Sequence, residues 1–315
     1  MLGYSNQMRV AYCYIGPLPE YAIDTVHQTR LFFSGPIDFI ISDLTSSCIP
    51  ILKKYDVNIV PYETVRHRGF EDCIVQYESK FSYLEGLKGR ERLFIYAFER
   101  FFVLYQWVIQ QNLEDILFLE LDNLIYSDPC EWEESFRAKQ MAFMFDNYDR
   151  CASGICFIQN ADVLLQFTKC CIRYISETDT SKKFMTEMQA LDEFWKTEPH
   201  RVQILPTHWP SSSVPDATHE NYHRYKKSIF DSAAMGIYFG GVDPFHTDGL
   251  IITGLISIWS AINYTHYQFE WRTDEQGRLI PYVFNDSYWV RINNLHIHSK
   301  ILTPHVSKDI THSQS

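Results

Sequence analysis

Residues 113–129 decide the fold, and they read LEDILFLELDNLIYSDP. Within this stretch the apolar run at 116–119 is typical of a strand buried on both faces, and two acidic residues, Glu120 and Asp122, follow it directly. Because side chains alternate along an extended chain, these two carboxylates point the same way and can face one hard cation. A polar cap on a buried strand would produce the same pattern. The stretch therefore predicts a central strand that ends either in a metal site or in an acidic cap.

The composition describes an ordinary globular protein with an excess of acidic side chains. Of its 315 residues 46% are apolar, which is enough to fill a large core. The 39 acidic and 28 basic side chains give a net charge of -11, which repels nucleic acid and anionic membrane surfaces. An anionic substrate would need a bound cation or a few well-placed arginines. We therefore expect no nucleic-acid partner and favour a metal held by carboxylates.

The cysteines and apolar runs predict an intracellular setting. Eight cysteines are scattered without C-x-x-C pairs, as is typical of reduced, buried thiols. Residues 1–8 lack a charged segment followed by an apolar core, so we predict no signal peptide. The longest apolar stretch, at 250–262, is too short and too interrupted to span a bilayer. We expect a cytoplasmic protein without a transmembrane segment.

Strand and helix patterns alternate through the first half of the chain. Strands are predicted at 9–15, 38–42, 57–60 and 116–119, with helices at 21–32, 47–55 and 91–110. Strands that alternate with helices at this spacing favour right-handed crossovers. The sequence therefore predicts an α/β fold with a mostly parallel, doubly wound sheet flanked by helices.

In such a sheet, ligands bind outside the carboxyl ends of the strands. This rule places the loop at 15–19, Asp43 and the acidic pair on one rim. Asp43 fits either a hydrogen bond to a nucleoside or a turn. The long helix at 91–110 carries Arg92 and Arg100, and a buried arginine needs either an anion such as a diphosphate or an acid such as Glu99.

The second half continues the pattern with strands near 140–145 and 155–158, a helix at 162–176 and another from 186. Gly154, just ahead of a predicted strand, permits close backbone approach to a substrate, although a turn would explain it equally well. Glu187 lies near the start of a helix, where a carboxylate also complements the helix dipole. A long loop is predicted at 206–225, followed by a short, glycine-closed helix within 229–244.

The last predicted strand, at 288–300, alternates so that His296, His298 and Lys300 share one face. A histidine there would complete the carboxylate site and Lys300 would suit a phosphate, whereas surface histidines are the plain alternative. Residues after about Ile301 are predicted to form a frayed tail.

Three motifs together resemble the GT-A nucleotide-sugar glycosyltransferases, in particular a bacterial and large-virus group of the chlorella-virus capsid type. The motifs are E-x-D-N at 120–123, D-x-A-A-x-G-x-Y-x-G-G-x-D-P at 231–244 and H-I-H-S-K at 296–300. The resemblance covers residues 8–300 and implies one GT-A domain at 1–300, with a nucleotide-binding half at 8–125, an acceptor-side half at 126–300 and a tail at 301–315. A viral member would work in the host cytoplasm.

The resemblance implies roles for individual residues. Asp122 and His298 would hold Mn²⁺ or Mg²⁺ against the donor diphosphate, with Glu120 and His296 as further candidate ligands. Glu187 and Asp231 are the candidate catalytic residues, and Glu187 would be the base of an inverting reaction or would position substrate in a retaining one. Candidate contacts to the donor are Ile15, Gly16, Pro17, Asp43, Arg100, Ser153, Gly154 and Lys300.

The predicted function is metal-dependent transfer of a sugar from a nucleotide-diphosphate donor to a glycan, a glycoprotein or another hydroxyl acceptor. A nucleoside diphosphate leaves poorly until a cation neutralises its charge. Carboxylates and histidines also build phosphoesterases and other metallohydrolases, which would hold two close metals. A non-catalytic sugar-binding module is a third possibility, suggested by the tryptophans, although these are more often core residues.

Overall fold

The computed structural model describes residues 7–81, 92–181, 185–241, 250–251, 256–257, 261–264 and 267–307. The helices are α1 (Ala22–Phe32), α2 (Ile49–Lys54), α3 (Tyr62–Val65), α4 (Arg68–Gln76), α5 (Leu93–Gln111), α6 (Glu133–Phe136), α7 (Ala161–Glu177), α8 (Glu187–Thr197) and α9 (Ala234–Gly240). The strands are β1 (Arg9–Tyr14), β2 (Ile37–Ile41), β3 (Val57–Pro61), β4 (Ile116–Leu119), β5 (Asn123–Ile125), β6 (Met141–Asn147), β7 (Arg150–Ile158), β8 (Val202–Leu205), β9 (Leu250–Ile251), β10 (Ile256–Ser257), β11 (Gln268–Thr273), β12 (Leu279–Phe284), β13 (Trp289–Arg291) and β14 (Asn294–His296).

A seven-stranded sheet in the order β3-β2-β1-β4-β7-β6-β8 forms the centre of the fold. β1 pairs in parallel with β2 and β4, β2 with β3, and β6 with β8, whereas β7 runs antiparallel to both of its neighbours. Six strands therefore point the same way, and their carboxyl ends share one rim. The predicted α/β fold, with its mostly parallel central sheet flanked by helices, is confirmed.

The two faces of β4 enter different cores, which explains its continuous apolar run. Leu117 and Leu119 join one hydrophobic cluster, while Ile116 and Phe118 join the other. The second cluster contains one face of α5, including Trp107, and burial of each such large side chain contributes roughly 1.5–3 kcal/mol. The carboxyl end of β4 is consequently fixed from both sides of the sheet. Among the described residues, no helix combines the length and the apolar character needed to cross a membrane.

The region predicted as one strand at 288–300 is instead two short strands with different partners. β13 pairs with β12 in a three-stranded antiparallel sheet, and β14 pairs antiparallel with β5. Between them, Ile292 bridges to Ile229 and the backbone N–H of Asn293 donates to the carbonyl of Ile229 at 2.8 Å. The chain thus changes sheets at this point, and the alternation of side chains does not continue to Lys300.

Two further expectations are corrected by the packing. Ser153 and Gly154 lie inside β7 and not ahead of a strand. Glu99 accepts a hydrogen bond from the hydroxyl of Tyr62 and is not the partner of Arg100. The motif that begins at Asp231 leads into α9 as predicted, but its last residues, 242–244, lie outside the described part of the chain.

The tail expected to fray after Ile301 is ordered as far as Ser307. Its Leu302 and Ser307 are buried, and the N–H of Ser307 donates to Oε1 of Gln28 at 2.7 Å. The hydroxyl of Tyr126 donates to the carbonyl of His305 at 2.7 Å. The segment therefore closes over α1 and β5, and residues 308–315 of the predicted tail lie outside the described part.

Ending the chain at Lys300 is expected to destabilise the fold by at least about 3 kcal/mol, because Leu302 leaves the core and buried Gln28 loses partners. Urea unfolding measures the loss, with a chain ending at Lys308 as control. Equal unfolding midpoints for the two chains would contradict the packing of this segment.

Candidate active site

The carboxylates after β4 meet a histidine from β14. Nε2 of His296 lies 3.1 Å from Oδ2 of Asp122 and 3.5 Å from Oε2 of Glu120. One ligand atom from each of these residues falls within 4.8 Å of the others, and this is the group of three possible metal ligands found among the described residues. Asp122 and His296 are buried. Segments more than 170 positions apart therefore build one acidic site closed by an imidazole.

Backbone pairing places His296 there. β14 runs antiparallel to β5 with His296 opposite Asn123, and the N–H of Ile297 donates to the carbonyl of Asp122 at 2.8 Å. A Cβ at Gly154 would lie 2.4 Å from Nδ2 of Asn123 and 3.0 Å from Nδ1 of His296. Gly154 is thus required for close approach of protein side chains at the site, which gives it a structural reason that the sequence did not reveal.

The remaining members of the H-I-H-S-K motif lie beyond the end of β14. The ring of His298 has its centroid 5.6 Å from that of His296, and His298 is not one of the three grouped ligands. Lys300 adopts a left-handed conformation with φ of 64°, and its ammonium donates to Oδ2 of Asp122. The geometry therefore favours His296, the alternate ligand, over His298, and it brings Lys300 to the acidic site by a turn and not by strand alternation.

Arg100 connects the acidic site to a third carboxylate. Its Nη2 lies 2.5 Å from Oε1 of Glu120, 3.2 Å from Oε1 of Glu187 and 2.9 Å from the hydroxyl of Ser153. Burial acts to raise the pKa of Glu120, but Arg100 and His296 outweigh it and lower that pKa to about 2. Glu120 is consequently ionised at any pH at which the protein would work, with Oε1 on the arginine and Oε2 toward His296.

Glu187 begins α8, as predicted, behind a capping box formed by Thr186 and Gln189. Burial raises the pKa of Glu187 above its ordinary value, while the nearby Arg100 lowers it to a smaller extent. Its Oε2 has no hydrogen-bond partner among the described residues. A buried carboxylate with one oxygen left unpaired and a raised pKa is suited to accept a proton.

The predicted donor loop lies at the carboxyl ends of β1 and β2. The N–H of Gly16, which has φ of 121°, donates to the hydroxyl oxygen of Ser42 at 2.8 Å. Asp43 receives the N–H of Leu18 at 3.3 Å and both the N–H and the hydroxyl of Thr45. Hydrogen bonds from Thr45 and Leu18 lower the pKa of Asp43. The rim therefore includes Ile15, Gly16, Pro17 and Asp43. The carboxylate of Asp43 is already used in a turn, and its contact with a nucleoside stays a prediction.

Asp231 has both of its carboxylate oxygens bound by backbone N–H groups. Its side chain is completely buried. Burial raises the pKa of this carboxyl, whereas the N–H donors act to lower it. These contacts support a structural role, and the catalytic role expected of Asp231 stays a prediction.

The donor set fits a hard divalent ion. Two carboxylate oxygens and one imidazole nitrogen, with no thiolate, suit Mn²⁺ or Mg²⁺, and the imidazole favours Mn²⁺. Lys300 and Arg100 lie against Asp122 and Glu120, as expected where carboxylates concentrate negative charge and attract cations. Glu120, Asp122 and His296 are thus the residues that would hold the ion.

Sequence reasoning missed the side chains that brace this site. The amide of Asn294 donates to Oδ1 of Asn123 at 2.9 Å and to the carbonyl of Asp231 at 3.0 Å. Both asparagines are completely buried. The one sign of them in the sequence was an asparagine within an otherwise apolar strand, because a buried side-chain amide needs several hydrogen-bond partners.

Gly154→Ala is expected to destabilise the protein by about 1–3 kcal/mol, because the new methyl group overlaps Asn123 and crowds His296 in a filled interior. Denaturant unfolding measures this loss. Gly69→Ala in α4 is the matched control, since its methyl group would meet a side chain at 3.2 Å. Equal stability of the two variants would argue against tight packing over the site.

No protein-family model and no curated protein sequence matches the chain. Similar solved structures include mouse xyloside xylosyltransferase 1 in its apo form, with 10% identity, 63% of this chain and 85% of that chain covered, and a TM-score of 0.44. A glycosyltransferase involved in the glycosylation of the major capsid of PBCV-1 shows 13% identity, with 70% and 90% covered and a TM-score of 0.33. A cytidylyltransferase from Leptospira borgpetersenii shows 8% identity, with 65% and 76% covered and a TM-score of 0.37.

The chain is therefore similar in structure to glycosyltransferases, including one of the viral capsid type that its motifs resemble. Activity must be decided by the residues of the site itself.

Proposed function

We propose that this protein is a metal-dependent glycosyltransferase that moves a sugar from a nucleotide-diphosphate donor to a hydroxyl acceptor such as a glycan or glycoprotein. The observation that carries the proposal is the meeting of Glu120, Asp122 and His296 at the carboxyl end of β4, within 4.8 Å of one another. In open α/β sheets this rim is where nucleotides bind. The loops after β1 and β2, which would contact the nucleoside, open onto the same rim.

The basic side chains of the site match a diphosphate. Mn²⁺ or Mg²⁺ bound by Glu120, Asp122 and His296 would neutralise the charge that develops on the leaving diphosphate. Lys300, on Asp122, places an ammonium at the edge of the same site, where it can contact a phosphate oxygen. Arg100 is held by Glu120 and Glu187, so its role is to fix these two acids relative to each other.

Glu187 is the group best placed to act as a base. In an inverting reaction the acceptor oxygen forms its bond to the anomeric carbon as the bond from that carbon to the diphosphate oxygen breaks, and the hydroxyl proton passes to the carboxylate. Glu187 has an unpaired oxygen and is tied through Arg100 to the ligand Glu120. In a retaining reaction the same carboxylate would orient the substrate.

The test is incubation with uridine, guanosine and thymidine diphosphate sugars, with Mn²⁺, with Mg²⁺ and with a chelator. Metal-dependent release of nucleoside diphosphate, increased by a hydroxyl acceptor, is the expected result. Acceptor-independent cleavage of simple phosphoesters, with two metal ions per chain, would instead identify a phosphoesterase. Glycan binding that is unchanged in Asp122→Ala, without turnover of any donor, would identify a binding module.

A further inference from the structure

The carboxylate of Asp231 accepts hydrogen bonds from backbone N–H groups at the start of α9 and at the end of β14. Its Oδ1 accepts the N–H groups of Ala233 and Met235, both at 2.9 Å. Its Oδ2 accepts the N–H of Gly236 at 2.7 Å and the N–H of His296 at 2.9 Å. Two carboxylate oxygens offer about four acceptor positions, and backbone donors fill all of them. Every acceptor position of this carboxylate therefore binds a backbone N–H group.

Gly236 allows α9 to lie directly on the backbone of β14. A Cβ at this position would lie 1.9 Å from the carbonyl oxygen of His296 and 2.9 Å from Oδ2 of Asp231. Any side chain would therefore push the His296 peptide away from α9, toward Asp122 and Glu120. The conformation of Gly236 itself does not demand glycine, since it has no positive φ, so close approach is the reason for this residue.

The backbone at His296 is consequently held by hydrogen bonds on two sides. On one side its N–H is held by Asp231, and on the other the following N–H, that of Ile297, is held by the carbonyl of Asp122. Asn294 ties these sides together, because its amide donates both to Asn123 and to the carbonyl of Asp231. The imidazole then has little freedom to move relative to the carboxylates.

We propose that Asp231 and Gly236 are positioning residues that fix the backbone of His296 so that its Nε2 faces Asp122 and Glu120. The motif D-x-A-A-x-G at 231–236 is thus a clamp for a metal ligand 60 residues later in the chain. The metal part of this inference rests on the proposed function. The clamp itself is a property of the backbone and can be tested without any reaction.

Two variants and one control test the clamp. Gly236→Ala displaces the His296 peptide, and Asp231→Asn removes the acceptor for two of the four N–H groups while preserving size. Gly240→Ala, in the same helix, is the matched control, because the atoms nearest to its methyl group would be side-chain atoms of Ile297 and His305, where those nearest at Gly236 belong to the His296 backbone. Amide hydrogen exchange of peptides spanning 293–298 and titration with Mn²⁺ followed by electron paramagnetic resonance are the measurements.

Both variants are expected to lose exchange protection at residues 296–297 and to weaken Mn²⁺ binding by about 10-fold or more, as changes around metal ligands do. Gly240→Ala should stay within about 3-fold of the parent protein by the same standard. In a His296→Ala background, Gly236→Ala should cause no further loss, since the residue it positions is gone.

Undiminished protection at 296–297 in both variants would overturn the clamp. Mn²⁺ affinity that falls equally in Gly240→Ala, or falls further in the His296→Ala background, would show a general loss of stability and would also overturn it. If the parent protein binds no Mn²⁺, the proposed function fails, and the clamp is then decided by hydrogen exchange alone. Should Gly236→Ala not fold, the milder Asp231→Asn variant decides.

Discussion

Asp122→Ala is expected to lower kcat/KM for metal-dependent sugar transfer by about 10³-fold, the upper end of the cost of losing one preorganised electrostatic contact. Oδ2 of this carboxylate is where His296 and Lys300 converge, at 3.1 Å in the case of His296. Its removal takes away one ligand of the ion and the anchor of the ammonium at once. Nucleoside diphosphate release, measured at saturating Mn²⁺, gives the rate, and Mn²⁺ titration gives the loss of affinity.

Asp149→Ala is the matched control for this change. Asp149 is exposed and carries the same charge, but it lies in the turn between β6 and β7. We expect the control to keep the activity of the parent protein. Transfer that survives both in Asp122→Ala and after treatment with a chelator would show that no ion at this place takes part in the reaction.

The strands and helices were predictable where a local pattern sufficed. The apolar run at 116–119 forms β4, and the amphipathic run from 162 forms α7. Both were predictable because the spacing of apolar residues along a strand or helix follows from which of its faces are buried. The break within 288–300 was not predictable, since β13 and β14 differ in their partners and not in their local pattern. Pairing partners are long-range contacts that alternation does not encode.

The place of the acidic residues was predictable, whereas the individual partners of the basic residues were not. Glu120 and Asp122 follow a strand, so their place on the rim follows from the fold. An anion, Glu99 or another acid was expected to pair with Arg100. Adjacent residues on a helix do not face each other, and the partner is an acid distant in sequence, Glu120. The alternation of side chains did not distinguish His296 from His298. The two histidines differ because His296 is paired with β5, whereas that pairing ends before His298.

Glu187→Gln is expected to lower kcat by about 10²–10⁴-fold, the usual contribution of a general base, while leaving Mn²⁺ affinity nearly unchanged. Glu187 is outside the three-ligand group, so its loss should affect chemistry and not metal binding. Glutamine keeps the size of the side chain and can still accept a hydrogen bond from Arg100. Glu193→Gln, the same change at a half-buried position of α8, is the control.

The pH dependence gives this prediction a second readout. Burial raises the pKa of Glu187 above the ordinary value of a glutamic acid, so a base at this position loses its ionised form as the pH falls through the raised value. The rate of the parent protein should therefore fall on the acid side, and that fall should be absent from the residual rate of Glu187→Gln. Glu120 cannot produce the same limb, because its pKa is lowered to about 2. A variant that keeps both its kcat and the acid limb would exclude Glu187 as the base. The anomeric configuration of the product, read by NMR, would then show whether the reaction retains configuration or inverts it with a different base.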